Sequence, residues 1–82
     1  MNKNYVLWHL EEAQKAIREI VAEIKSDPDY DYGNYLVDIA HAYHHLNTAW
    51  NARDASEAAV EACTDDDWYR WRQFPTDIYL GP

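Results

Sequence analysis

Apolar side chains recur at spacings of three and four along two long stretches of the chain. In residues 5–26, Val6, Leu10, Ala13, Ile17, Ile20, Val21 and Ile24 fall on one side, and Glu11, Glu12, Lys15, Arg18, Glu19, Glu23 and Lys25 fill the rest. That periodicity predicts an amphipathic helix, with Asn4 as a candidate N-cap. In residues 32–53, Tyr32, Leu36, Ile39, Tyr43, Leu46, Trp50 and Arg53 form a nearly unbroken heptad line. It predicts a second helix that ends in a basic residue. Ala40, Ala42, Ala49 and Ala52 flank this line and permit close helix approach.

Between them lies Ser26-Asp27-Pro28-Asp29-Tyr30-Asp31-Tyr32-Gly33. Pro28 cannot continue a helix and pushes Asp27 into extended backbone. Asp29 or Asp31 can cap the second helix. A short turn between long helices makes them antiparallel neighbours. Residues 54–63 are alanine-rich, and either prolong the second helix or form a short extra one capped by Ser56. Thr64 followed by Asp65, Asp66 and Asp67 opens a short helix near 65–73, with Trp68, Trp71 and Phe74 on its apolar side and Pro75 beyond it. The expectation is a single all-α domain over 1–82: an antiparallel two-helix hairpin, a short third helix and an aromatic C-terminal tail.

Size constrains how such a domain is stabilised. A chain of 82 residues buries only about 60% of its unfolded surface, and domains this small usually add disulfides, metal or oligomerisation. Cys63 is the only cysteine, so no internal disulfide forms; its expected role is a small buried filler. A lone cysteine, no signal peptide and no long apolar run suggest a cytoplasmic protein that does not span a membrane. The Tyr/Trp line and aromatic tail offer more apolar surface than one hairpin covers. Pairing two hairpins into a four-helix bundle, as a homodimer, is the expected remedy. The competing outcome is a tail that wraps the hairpin and covers the stripe alone.

Fifteen acidic against seven basic residues give a net charge of −8, which repels phosphates and disfavours direct nucleic-acid or anionic-membrane binding. Aromatics at 15% exclude a solvated, disordered chain.

Four groups of residues carry candidate chemistry. Asp38, His41 and His45 share one helical face, and an antiparallel hairpin pairing position i with about 57 minus i puts Glu12 near His45 and His9 near Ala49. His9, Glu12, Asp38, His41 and His45 are therefore candidate ligands for zinc, iron or manganese. The spacing lacks the paired Glu-x-x-His motif of di-iron bundles, and histidines that flank the core seam and bond to neighbouring side chains are the simpler reading. Asp27, Asp29, Asp31 and Asp38 match positions 1, 3, 5 and 12 of a calcium loop, but Tyr32 stands where that loop needs glycine. An acidic turn capping a helix is the simpler reading. His44, Asn47 and Asn51 form a polar ridge beside Tyr43 and Trp50; with Arg53 and Trp71 these residues either dock the segment 71–75 or form a partner surface. Arginines interleaved with aromatics at 68–74 can stack on bases, yet the acids before them favour an apolar anchor.

No nucleophile elbow, phosphate-cradling glycine loop or dinucleotide fingerprint is present, which leans away from an enzyme, and no cofactor is implied. The leading expectation is a small acidic helical protein–protein interaction module. Its alternatives are an acidic nucleic-acid mimic that blocks a basic protein, and a metal-binding helical bundle.

Overall fold

A computed structural model describes residues 1–82, and it is all-helical. Helix α1 spans Lys3–Ser26, α2 Tyr32–Asn51, α3 Glu57–Ala62 and α4 Asp65–Trp71. No helix is long and apolar enough to cross a membrane.

Each boundary follows from local chemistry. Asn2, two residues before the expected cap, accepts a hydrogen bond from the Tyr5 amide at 3.2 Å. It also donates its own amide to the Arg53 carbonyl and its side chain to the Ala55 carbonyl. The start of α1 is thereby tied to the exit of α2. Asp31 and Asn34 form a reciprocal capping box at the start of α2, which satisfies amides that a helix otherwise leaves unpaired. Ser56 and Thr64 cap α3 and α4 through their own side chains. Cys63 joins those two helices with φ of 38°, in the left-handed region that costs a non-glycine residue about 1–2 kcal/mol. It is exposed, which corrects the expectation of a buried filler. Residues 52–56 separate α2 from α3, and Cys63 and Thr64 separate α3 from α4, so the alanine-rich stretch forms the short extra helix capped by Ser56.

The two long helices pack antiparallel, and α4 lies against α2. The surfaces in contact are not the ones the heptad line suggests. Ala13, Ala16 and Ile20 of α1 face Ala42 and Ala49 of α2, with His9 and His45 buried among them and Trp71 sealing one end. Leu10, Ile17, Val21 and Ile24 are all more than 40% exposed, as are Leu36 and Tyr43. Alanines let two backbones approach closely, and a bulky Leu/Ile face would hold them apart. The chain packs its small face inward and leaves the large aliphatic side chains on the flank.

The tail docks at one place. Asp77 accepts a hydrogen bond from Trp50 Nε1 at 2.9 Å and pairs with Arg53 at 3.5 Å. Arg53 in turn lies over the Trp50 ring, a cation–π arrangement. Phe74 meets Tyr43 edge-on. Beyond this clasp Tyr79 and Leu80 are almost fully exposed, so the tail does not wrap the hairpin.

Candidate functional site

The chemistry of this chain concentrates on one flank of the hairpin, beneath α4. Helical geometry puts Tyr5, Trp8, His9 and Glu12 on adjoining lines of α1, and His41, His44, His45 and Thr48 on adjoining lines of α2. Trp68 and Trp71, one turn apart on α4, close over them. Asn47 and Asn51 hold that cover in place. The first donates to the Arg72 carbonyl at 3.0 Å, and the second donates to the Trp71 and Gln73 carbonyls at 2.8 and 2.7 Å. Asparagine is a poor helix former; here its amides satisfy the carbonyls that α4 leaves open at its C-terminus.

The result is a cleft of about 470 Å3. Tyr5, Trp8, Trp68 and Trp71 form its walls, and His9, His44 and His45 lie at its base. Cys63 and Thr48 complete the lining, which contains no Asp, Glu, Lys or Arg. Thr48 directs its hydroxyl to the His44 carbonyl.

His9 and His45 meet across the interface with their Nδ1 atoms 3.0 Å apart. Two neutral imidazoles share a single proton at such a contact, one ring donating and the other accepting. His9 is 5% exposed and His45 6%. Burial, together with His45 and His44 nearby, lowers the His9 pKa to about 4. The His44 pKa is also lowered, mainly by burial and then by His45, Arg72 and His41. Burial and His41 lower that of His45, while Glu12 acts in the opposite direction. Tyr5 packs edge-on against His9 at 4.6 Å and Trp8 does so at 4.9 Å. His9 Nε2 and His44 Nδ1 are buried without a hydrogen-bond partner.

Of the five candidate metal ligands, His9, His41 and His45 come together, with the His41 and His45 rings 4.7 Å apart. Glu12 lies close enough to act on His45. Asp38 is elsewhere: it accepts a hydrogen bond from the Tyr30 hydroxyl at 2.8 Å, and burial together with this carboxylate pushes that hydroxyl up to about 12. No group of three or more His, Cys, Asp or Glu side chains is arranged to hold a metal ion. The physical reason is that His9 and His45 turn their Nδ1 atoms to each other and Asp38 is held by Tyr30. The acids of the turn have local roles too, since Asp27 accepts from the Asp29 amide and Asp31 caps α2.

The six residues read as either docking the segment 71–75 or forming a partner surface are largely engaged inside the chain, and the asparagines do dock that segment. Asn47 and Asn51 bond to the exit of α4, Trp50 and Arg53 hold Asp77, Trp71 is buried, and His44 joins the cleft. Tyr5, Trp8 and Trp68 were not among the expected site residues. The spacing Tyr5-x-x-Trp8 opposite Trp68-x-x-Trp71 was the available signal, because each pair presents two aromatics from one helical face. No protein-family model matches the chain, and no curated protein or solved structure is significantly similar to it.

Proposed function

We propose that this chain is a small protein–protein interaction module whose partner is a second copy of itself. The observation that carries the reading is the flank opposite the cleft. Leu10, Ile17, Val21 and Ile24 of α1 lie on the same side of the hairpin as Tyr35, Ile39 and Leu46 of α2, roughly 80° around each helix from its buried line. All but Ile39, which is half-buried, are exposed. Between Leu10 and Ile24, and between Tyr35 and Leu46, no charged residue falls on this side.

Three physical facts favour a second copy as the occupant. A contiguous exposed apolar surface spanning two helices is the kind of feature that marks a protein–protein contact site. A symmetric pair covers it with the same patch used twice, and two hairpins joined this way make a four-helix arrangement with the aliphatic residues inside. The monomer's own interior is mostly alanine, which supplies little apolar burial for a domain of this length.

Sedimentation equilibrium across the micromolar range tests the proposal. The expected result is a species of twice the chain mass that dissociates on dilution. Ile17→Glu, which places a charge on the flank at a residue 44% exposed, converts it to a folded monomer. A wild-type chain that is monomeric throughout this range, or an Ile17→Glu variant that associates as well as the wild type, contradicts it.

A further inference from the structure

The cleft on the other flank has a different character and does not depend on pairing. Its volume of about 470 Å3 lies in the range of small-molecule sites, which typically measure about 300–1,000 Å3 and combine apolar walls with a few convergent polar groups. Its walls are aromatic and it has no formally charged side chain. Buried polar atoms in folded proteins almost always have partners, yet His9 Nε2 has none, although the residue is only 5% exposed. His44 Nδ1, in the same lining, also has none.

We infer that this cleft binds a neutral, flat aromatic molecule carrying a hydroxyl group, a ligand of the phenol class. The walls select the shape. Tyr5 and Trp8 offer ring faces and edges to a planar guest, Trp68 offers the face and edges that Arg72 does not cover, and aromatic pairs contribute beyond the area they bury. The histidines select the polar group. The proton shared between His9 and His45 leaves His9 Nε2 a donor in one tautomer and an acceptor in the other. A phenolic hydroxyl both donates and accepts, so it satisfies either form. The uncharged lining selects against ions, because burying an unpaired charge is costly; the chain's net charge of −8 further disfavours anions. Trp8 and Trp68 are 54% and 40% exposed at the rim; His9 Nε2 is itself covered, with Tyr5 and Trp8 packed against its ring, so binding requires these neighbouring rings to move aside.

Titration with three probes of one shape tests the inference: 2-naphthol, naphthalene and 2-naphthoate, followed by calorimetry and by 15N spectra of histidine-labelled protein. The expected result is saturable one-to-one binding of 2-naphthol, at least about tenfold tighter than either other probe, the size expected when one buried hydrogen bond is gained or lost. The His9 Nε2 resonance moves with 2-naphthol and stays in place with naphthalene. Trp68→Ala, a change at a partly exposed wall that leaves the helical circular-dichroism spectrum intact, weakens 2-naphthol binding several-fold. Absence of saturable binding, equal affinity for naphthalene and 2-naphthol, or binding indifferent to Trp68→Ala overturns the inference. Because Ile17→Glu lies on the opposite flank, the monomeric variant binds 2-naphthol as the wild type does. Loss of binding in that folded variant also overturns the assignment to this cleft.

Discussion

The two flanks of the hairpin are built from the same two helices and finished in opposite ways. On the cleft side, aromatic and imidazole rings from α1 and α2 are covered by α4, and two asparagines fix the cover through its terminal carbonyls. On the other side, aliphatic residues of both helices stand in solvent with nothing laid over them. The short fourth helix therefore stabilises one flank only. Covering depends on hydrogen-bonding capacity as well as apolarity: the side with Asn47 and Asn51 can satisfy a helix end brought onto it, and the aliphatic side has no such groups.

The largest expected effect comes from removing the cover. Trp71 is 5% exposed and packs against Tyr5. Trp71→Ala should cost about 3–5 kcal/mol, the usual penalty for truncating a buried tryptophan. Such a loss approaches the whole stability of a small domain, at roughly 5 kcal/mol. Chemical denaturation reads it, and a loss below about 1 kcal/mol would show that α4 contributes little.

Acid acts on the same flank. His9, His44 and His45 all have lowered pKa values, with His9 at about 4 against an ordinary 6.5. Between these two values the unfolded chain binds more protons at His9 than the folded one, so stability falls as the pH falls. The contribution is full above about pH 6.5, declines through the window, and is gone below about pH 4. Denaturation midpoints measured from pH 7.5 to 4.5 should drop steadily; a flat profile would separate the imidazole contact from stability. The smallest effect is expected at the clamp. Asn51→Ala removes the donor to two carbonyls near the end of α4 and should cost about 1–2 kcal/mol, with amide exchange in 65–71 accelerated before that in α1. Uniform acceleration across the chain would mean that α4 opens only with the whole domain.

Much of the architecture was legible in the sequence, because helix ends are set by local chemistry. Pro28, Asp31, Ser56 and Thr64 mark boundaries without any knowledge of packing, and the structure places breaks or caps at each. The inward face was not legible. Leu10, Ile17 and Ile24 form as regular a line as Ala13, Ala16 and Ile20, and hydrophobicity alone favours the bulkier one. Close approach of backbones favours the smaller one, and the choice depends on what both helices offer together. The site was half legible for the same reason. His9, His41 and His45 were expected within reach of one another on facing helices, and they meet there; only the register differs, since the expected one sets His9 opposite Ala49, about one helical turn from His45. Trp68 enters because Asn47 and Asn51 draw the end of α4 onto that flank; the asparagine ridge signalled that docking, and the Trp68-x-x-Trp71 spacing signalled the paired rings, but neither says which cleft they close.

Pairing is expected through the bare aliphatic flank and not through the histidine-lined one. Intermolecular nuclear Overhauser effects in a mixed sample, with one copy isotope-labelled at methyl and aromatic positions and the other unlabelled, test it most directly. Intermolecular contacts are expected at Ile17, Val21, Ile24 and Leu46, and none at Trp8 or Trp68. Contacts confined to Trp8 and Trp68, or none in a sample concentrated well above the micromolar range, would contradict it.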